Sequence, residues 1–192
     1  KKFTQYYLKT LHNQLSALFN YAVRFYNMKN NPARIVGNMG KEQTKEMNFW
    51  KKEEYLRFSN AIMDKEDSYH AFQILYWCGL RLGELLALTR EDFDLTKSII
   101  RINKSYQRIN KHDVITDPKT RKSNRYVQMP DFLREEMEDY FTRIYDLNGT
   151  DRIFVISKSG LHHEMDRGCK ISGVKRIRIH DLRHSHVSLL ID

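Results

Sequence analysis

Between Ser68 and Leu88 the chain reads SYHAFQILYWCGLRLGELLAL, and no other stretch limits the possible folds so sharply. Its first half is apolar almost all round, the pattern of a helix buried on every side rather than laid on a surface. Gly79 ends that helix. Leu82, Leu85, Leu86 and Leu88 then restart a short inward-facing helix in RLGELLALTREDF. One guanidinium, Arg81, stands at the joint between Leu80 and Leu82. Taking such a charge out of water is costly without a partner. Glu84, three residues on, is the natural partner and would leave the outward end of Arg81 uncompensated. The plainer reading is that the two pair for structure alone.

The flanking segments extend the pattern. In WKKEEYLRFSNAI, Tyr55, Phe58, Ala61 and Ile62 keep helical spacing. SIIRI and RYVQM are β-branched or alternating, and the polar stretch between them ends in TDPKTRKSN, as in a small antiparallel sheet with a mobile hairpin. Pro130 opens a helix through DFLREEMEDYFTRIY, with Leu133, Met137, Tyr140, Phe141 and Ile144 on one side. RIFVI reads as extended, LHHEMDRGCKISG as a helix closed by Gly173, and HDLRHSHVSLLI as the last helix. Upstream, Leu8, Leu11, Leu15, Leu18, Ala22 and Phe25 give one long helix a greasy face, ended by Asn30, Asn31 and Pro32. IVGNMGKEQTKEMN has no sustained period and reads as a strap. The expectation is an α+β fold, mostly α, with helices around a small antiparallel sheet in residues 49–192. A linker at 36–48 and the tail of a helical module at 1–35 precede it.

Composition narrows the partners. Lys and Arg number 33 against 24 acidic residues, a formal charge of +9, so a polyanion such as nucleic acid comes first. The two cysteines, Cys78 and Cys169, lie far apart with no Cys-x-x-Cys pair, which argues against a disulfide framework or zinc knuckle and fits a reducing cytoplasm. No apolar run is long enough for a membrane span and no signal peptide opens the chain. His162, His163 and Glu164 resemble a metal triplet only on paper, because consecutive helical residues diverge. The chain begins without Met, which suggests a fragment.

IRIHDLRHSH, residues 177–186, concentrates three imidazoles and two guanidiniums. His180 and Arg183 are three apart at the head of the last helix, so they neighbour one another on one face. Exposed N–H groups at the helix start would add to an anion site. A solvated basic helix is the alternative.

Taken together and in order, GLRLGELLALTREDFD, PKTRKSNRYVQMP and HDLRHSHVSLLI resemble the catalytic domain of tyrosine recombinases, most closely integrases of phages and conjugative transposons. LFNYAVRFYNMKNNPAR resembles the closing helices of that family's core-binding domain. The resemblance implies a site-specific DNA recombinase that needs no metal or other cofactor. In such an enzyme a tyrosine attacks the scissile phosphate, leaving a 3′-phosphotyrosine and a free 5′-hydroxyl. Arg81 and Arg183 would clamp the non-bridging oxygens, since planar, permanently charged forks suit a transition state with extra negative charge. His180 would bond the same phosphate. Lys119 matches the hairpin lysine that protonates the leaving oxygen, with Lys122 as competitor. Glu84 and His184 would support the site, and the plain account of His186, three past Arg183, is likewise structural.

Lys104, Arg108, Arg121, Lys122 and Arg125 around the sheet, with Lys175 and Arg176 before the final helix, are candidates for gripping DNA phosphates. The implied partners are duplex DNA at attachment sites, other protomers in a synaptic tetramer, and accessory DNA-bending proteins, but no membrane. The family also requires a second phosphate-binding histidine or tryptophan and a tyrosine after the last helix. All eleven tyrosines precede the histidine–arginine motif, and Tyr69, Tyr76, Tyr126, Tyr140 and Tyr145 read as core. The fragment is therefore expected to bind DNA without forming a covalent adduct. The rivals are a type IB topoisomerase and a non-catalytic DNA-binding regulator of the same fold.

Overall fold

A computed structural model describes residues 3–40, 48–117, 124–145 and 148–191. The chain divides into two compact units, Lys1–Glu46 and Met47–Asp192.

The smaller unit is a helical hairpin of α1 (Gln5–Phe25) and α2 (Pro32–Val36). Asn31 joins them. Its amide donates to the Ser16 carbonyl at 2.9 Å and to Asn20 Oδ1 at 2.9 Å, while its own carbonyl oxygen caps α2 by accepting from the Ala33 N–H at 2.9 Å. A five-residue helix cannot cover a 21-residue one. Leu11, Leu15, Leu18 and Phe25 on the greasy face of α1 accordingly stay exposed, and the one residue of α1 that is buried is His12. Of the linker expected over residues 36–48, Val36 closes α2 and residues 41–47 lie outside the described residues.

In the larger unit, α3 (Lys52–Asn60), α4 (Glu66–Trp77), α5 (Leu82–Leu85), α6 (Asp131–Arg143), α7 (Lys158–Ser172) and α8 (Leu182–Ile191) surround two small sheets. As the all-round apolar pattern requires, α4 is buried from Ser68 to Tyr76 except for Tyr69. Tyr76 stacks on Tyr55 of α3 with ring centroids 3.7 Å apart. Gly168 of α7 lets that helix approach α3, since a Cβ there would stand 2.5 Å from Phe58 Cε2. Gly173 closes α7 in the left-handed conformation (φ +68°), where a glycine avoids the Cβ clash.

One sheet is antiparallel in the order β1 (Phe93–Asp94), β2 (Ile99–Ile102), β5 (Arg125–Gln128), with Ile102 opposite Arg125. The other is the hairpin of β3 (Ser105–Ile109) and β4 (His112–Thr116). Its two-residue turn, Asn110–Lys111, has positive φ at both positions (51° and 69°), the twist that suits a tight hairpin. Gly83 of α5 lies against it, where a Cβ would come within 2.6 Å of Ser105 Oγ.

Three expectations need correction. RIFVI forms no regular strand: Arg152 makes a single antiparallel bridge with Thr89 while Ile153 and Phe154 turn into the core. Tyr126 and Tyr145 are exposed, at 69% and 96%, because β5 alternates and offers Tyr126 on its open side, while Tyr145 follows the end of α6. The last helix starts later than expected, since Ile179–Asp181 is a 3-10 turn and α8 begins at Leu182.

The entry to this unit is fastened to its last helix. The Trp50 N–H donates to Ser185 Oγ at 2.9 Å, and its indole N–H donates to the Lys175 carbonyl at 2.7 Å. Among the described residues no helix is long and apolar enough to cross a membrane.

Candidate functional site

Arg81 caps α5 in an extended conformation (φ −76°, ψ 147°), and Glu84 reaches back to it. Glu84 Oε2 accepts from the Arg81 backbone N–H at 2.9 Å, and Oε1 accepts from Arg81 Nη1 at 2.9 Å. The carboxylate is 7% exposed and the Arg81 side chain 53%, so the acid lies inside and the guanidinium leans out. The chain reverses here because Gly79 sits at φ +61°.

Glu84 has a second partner. Arg125, at the head of β5, meets it with both fork nitrogens, Nη1 to Oε1 at 2.9 Å and Nη2 to Oε2 at 2.7 Å. Burial alone would raise the carboxyl pKa. The hydrogen bonds from Arg125 and from the Arg81 N–H and guanidinium outweigh it and pull the pKa down to about 2. Charge-assisted bonds to the ionised form have this effect.

The third guanidinium arrives from α8. Arg183 Nη1 donates to the Gly79 carbonyl at 2.5 Å. Burial lowers the Arg183 pKa, Arg81 and then Arg125 lower it further, and Glu84 opposes them. Three guanidiniums and one carboxylate thus share one electrostatic environment at the junction of α5, β5 and α8. Their formal sum is +2, three positive charges less one negative, and a site of that sign attracts an anion. A cleft of about 560 Å³ opens beside them, with Gly79, Arg125, Arg183 and His186 among its lining residues. The His186 ring packs on Gly79 so closely that a Cβ there would stand 2.4 Å from its Cδ2. Burial holds its imidazole below the usual pKa, a hydrogen bond with the Tyr76 backbone opposes this, and Arg183 adds to it.

His180 lies in the turn before α8, exposed, with its ring edge-on to His184 at 5.6 Å. The neighbouring Asp181 is buried and fixes the turn by accepting from the Arg178 N–H at 3.0 Å and from its guanidinium. Lys119, Arg121 and Lys122 lie outside the described residues.

The remaining cations differ in how far they are committed. Lys104 is turned inward, 2.6 Å from the fully buried carboxylate of Asp92 and 3.0 Å from Thr89 Oγ1. Arg108 is mostly exposed and loosely paired with Asp113 at 3.6 Å. Arg176 bonds Asp166 and the Ile177 carbonyl, and Lys175 bonds Asn48 Oδ1. His162 and His163 are exposed and Glu164 pairs with Arg167. Among the described residues no three His, Cys, Asp or Glu side chains are grouped to hold a metal ion.

Nothing in the sequence marks Arg125 as the partner of Glu84, the Gly79 carbonyl as the seat of Arg183, or Asp92 as the partner of Lys104. These pairs are separated by 41, 104 and 12 positions along the chain, and no local spacing signals them.

A family model described as "Phage integrase family" matches residues 38–192. The ICEBs1 integrase of Bacillus subtilis is 32% identical over 191 residues, covering 92% of this chain and 52% of the relative. The integrase of Staphylococcus phage L54a is 24% identical, covering 97% and 67%. Among solved structures, the Tn1549 transposon integrase in complex with a circular intermediate DNA superposes with a TM-score of 0.77 at 18% identity, covering 98% of this chain and 67% of that one. A lambda integrase dimer bound to a core site gives 0.63 at 14%, covering 94% and 65%. The chain spans about half the length of the B. subtilis relative.

Proposed function

Since the chain belongs to the phage integrase family, we propose that it supplies the phosphate grip of a site-specific recombinase that cuts and rejoins duplex DNA through a 3′-phosphotyrosine. In that reaction a tyrosine oxygen bonds to phosphorus as the P–O5′ bond breaks, and the departing oxygen takes a proton. Negative charge builds on the non-bridging oxygens in between. Arg81 and Arg183 meet that charge as fixed donors that need no reorganisation when the bond breaks. His180 bonds the same phosphate, Lys119 gives the leaving oxygen its proton, and Glu84 holds Arg81 in place, with His184 packed behind the site. The smaller unit serves as the end of the core-binding domain.

The observation that carries this reading is that Arg81 and Arg125 share the buried Glu84 carboxylate while Arg183, bonded to the Gly79 carbonyl, stands beside them, which leaves a net positive site open to solvent. None of the eleven tyrosines is proposed as nucleophile. Tyr55, Tyr76, Tyr106 and Tyr140 are buried, and the pKa of each is raised, which disfavours attack. Duplex DNA is the proposed partner, engaged in the cytoplasm by a synaptic tetramer with accessory DNA-bending proteins. That the Tn1549 and lambda integrases were solved bound to DNA supports the DNA component.

The test is fluorescence anisotropy of this chain with a random-sequence duplex of about three helical turns across a salt series. The logarithm of affinity should fall linearly with that of salt concentration. Arg81→Ala and Arg183→Ala should each weaken binding and flatten the slope by about 0.9, the share of one phosphate. Slopes that match the unsubstituted chain in both variants would sink the reading.

A further inference from the structure

The Glu84 carboxylate is shared unequally. Arg125 occupies both of its oxygens in a fork, at 2.9 and 2.7 Å, whereas the Arg81 side chain reaches it with Nη1 alone. Left to itself, an arginine beside a carboxylate settles into the two-bond arrangement, because parallel N–H···O bonds are the stronger geometry. Arg81, three residues from Glu84 and bonded to it through its backbone as well, is well placed to do so. It is prevented because both oxygens already carry the Arg125 fork. A guanidinium has five N–H donors. Among the described residues one of those on Arg81 is spent on Glu84, and the side chain stays 53% exposed against 26% for Arg125.

On that geometry, and resting on the phosphate-grip reading above, we infer that Arg125 is a positioning residue for Arg81. It holds the Glu84 carboxylate in a fork, so that Glu84 anchors Arg81 without engaging its outward donors. Arg125 therefore acts inward, although its place among the cations around the sheet marks it as a candidate DNA contact. The same contact ties the start of β5 to the Arg81 joint. One side chain thus sets the position of Arg81 and of the start of β5.

Lysine keeps the charge of arginine but has no fork, and this separates a positioning role from a contact role. The DNA titration in salt is made for Arg125→Met, Arg125→Lys, Arg81→Ala and the two double variants of Arg81→Ala with each Arg125 change. If Arg125 positions Arg81, then Arg125→Met and Arg125→Lys each weaken binding about tenfold and flatten the slope by about 0.9, as Arg81→Ala does. The double variants are then no worse than Arg81→Ala alone, since they remove one contact twice.

Arg125 losses that multiply with that of Arg81→Ala, to about a hundredfold with a slope change near 1.8, mean that Arg125 touches phosphate itself and overturn the inference while leaving the grip intact. So does an Arg125→Lys variant that binds like the unsubstituted chain. An Arg81→Ala variant that binds normally removes the grip and the inference together. Trp50 and Trp77 fluorescence verifies that each variant is folded. Should Arg125→Met unfold, Arg125→Lys completes the cycle alone.

Discussion

Replacing Glu84 by glutamine should cost stability in a way that depends on pH with a definite sign. The carboxyl titrates near 2 in the folded chain against an ordinary value of 4.5. Because the folded value is depressed, the stabilisation is complete above pH 4.5 and is lost as pH falls towards 2. A gap of about 2.5 in pKa is worth about 3 kcal/mol, and the carboxylate is 7% exposed, so solvent screening takes little from it. Glu84→Gln should therefore be about 3 kcal/mol less stable than the unsubstituted chain at pH 7 and only about 1 kcal/mol less stable at pH 2.5. The two tryptophans, Trp50 and Trp77, both lie in the larger unit, so urea unfolding followed by their fluorescence reports on that unit alone. A deficit of the same size at both pH values would refute the argument, because it would show that ionisation of Glu84 does not stabilise the fold.

Other outcomes follow from single contacts. Gly79→Ala places a Cβ 2.4 Å from the His186 ring at a positive φ, whereas Gly173→Ala, also at positive φ, meets nothing within 4 Å. Denaturant midpoints should show a loss of about 2–4 kcal/mol for the first and about 1 kcal/mol for the second. Gly168→Ala should destabilise by about 1–3 kcal/mol through its clash with Phe58, and Phe58→Leu in the same chain should recover part of that loss in the same urea titration. Lys104→Met removes the nearer of two cations from the buried Asp92 carboxylate, leaving Arg101 at 3.5 Å and the two Thr89 bonds. It should lower stability by about 1–3 kcal/mol while leaving the salt dependence of DNA binding unchanged, and a flattened slope would show that Lys104 contacts phosphate.

Where structure is governed by local pattern, it could be read from the residues. Helices α3, α4, α6 and α7 follow their apolar spacing, and the reversals at Gly79 and Gly173 follow from residues that tolerate positive φ. The β3–β4 hairpin was hidden in a polar stretch because its turn is Asn110–Lys111 and lacks the glycine that usually marks such a turn. RIFVI was misleading because its apolar residues are buried by packing while one residue pairs. The greasy face of α1 announced a helix but not what would cover it. At the site, Arg81 and Glu84 are three apart and recognisable as a pair. Arg125 reads in the sequence as one more cation around the sheet, since its engagement with Glu84 depends on β5 pairing beside β2, a property of the whole sheet.

The two hydrogen bonds of Trp50 give the larger unit a mechanical character. Ser185 is 135 positions away along the chain yet bonded to the Trp50 N–H, so the first residues of the larger unit are tied to α8 by a polar bond within the core. That helix carries Arg183, whose grip on the Gly79 carbonyl is a single short bond. Loss of the Trp50–Ser185 bond would therefore loosen the helix on which that guanidinium is mounted, so the packing of residue 50 bears on the anion site.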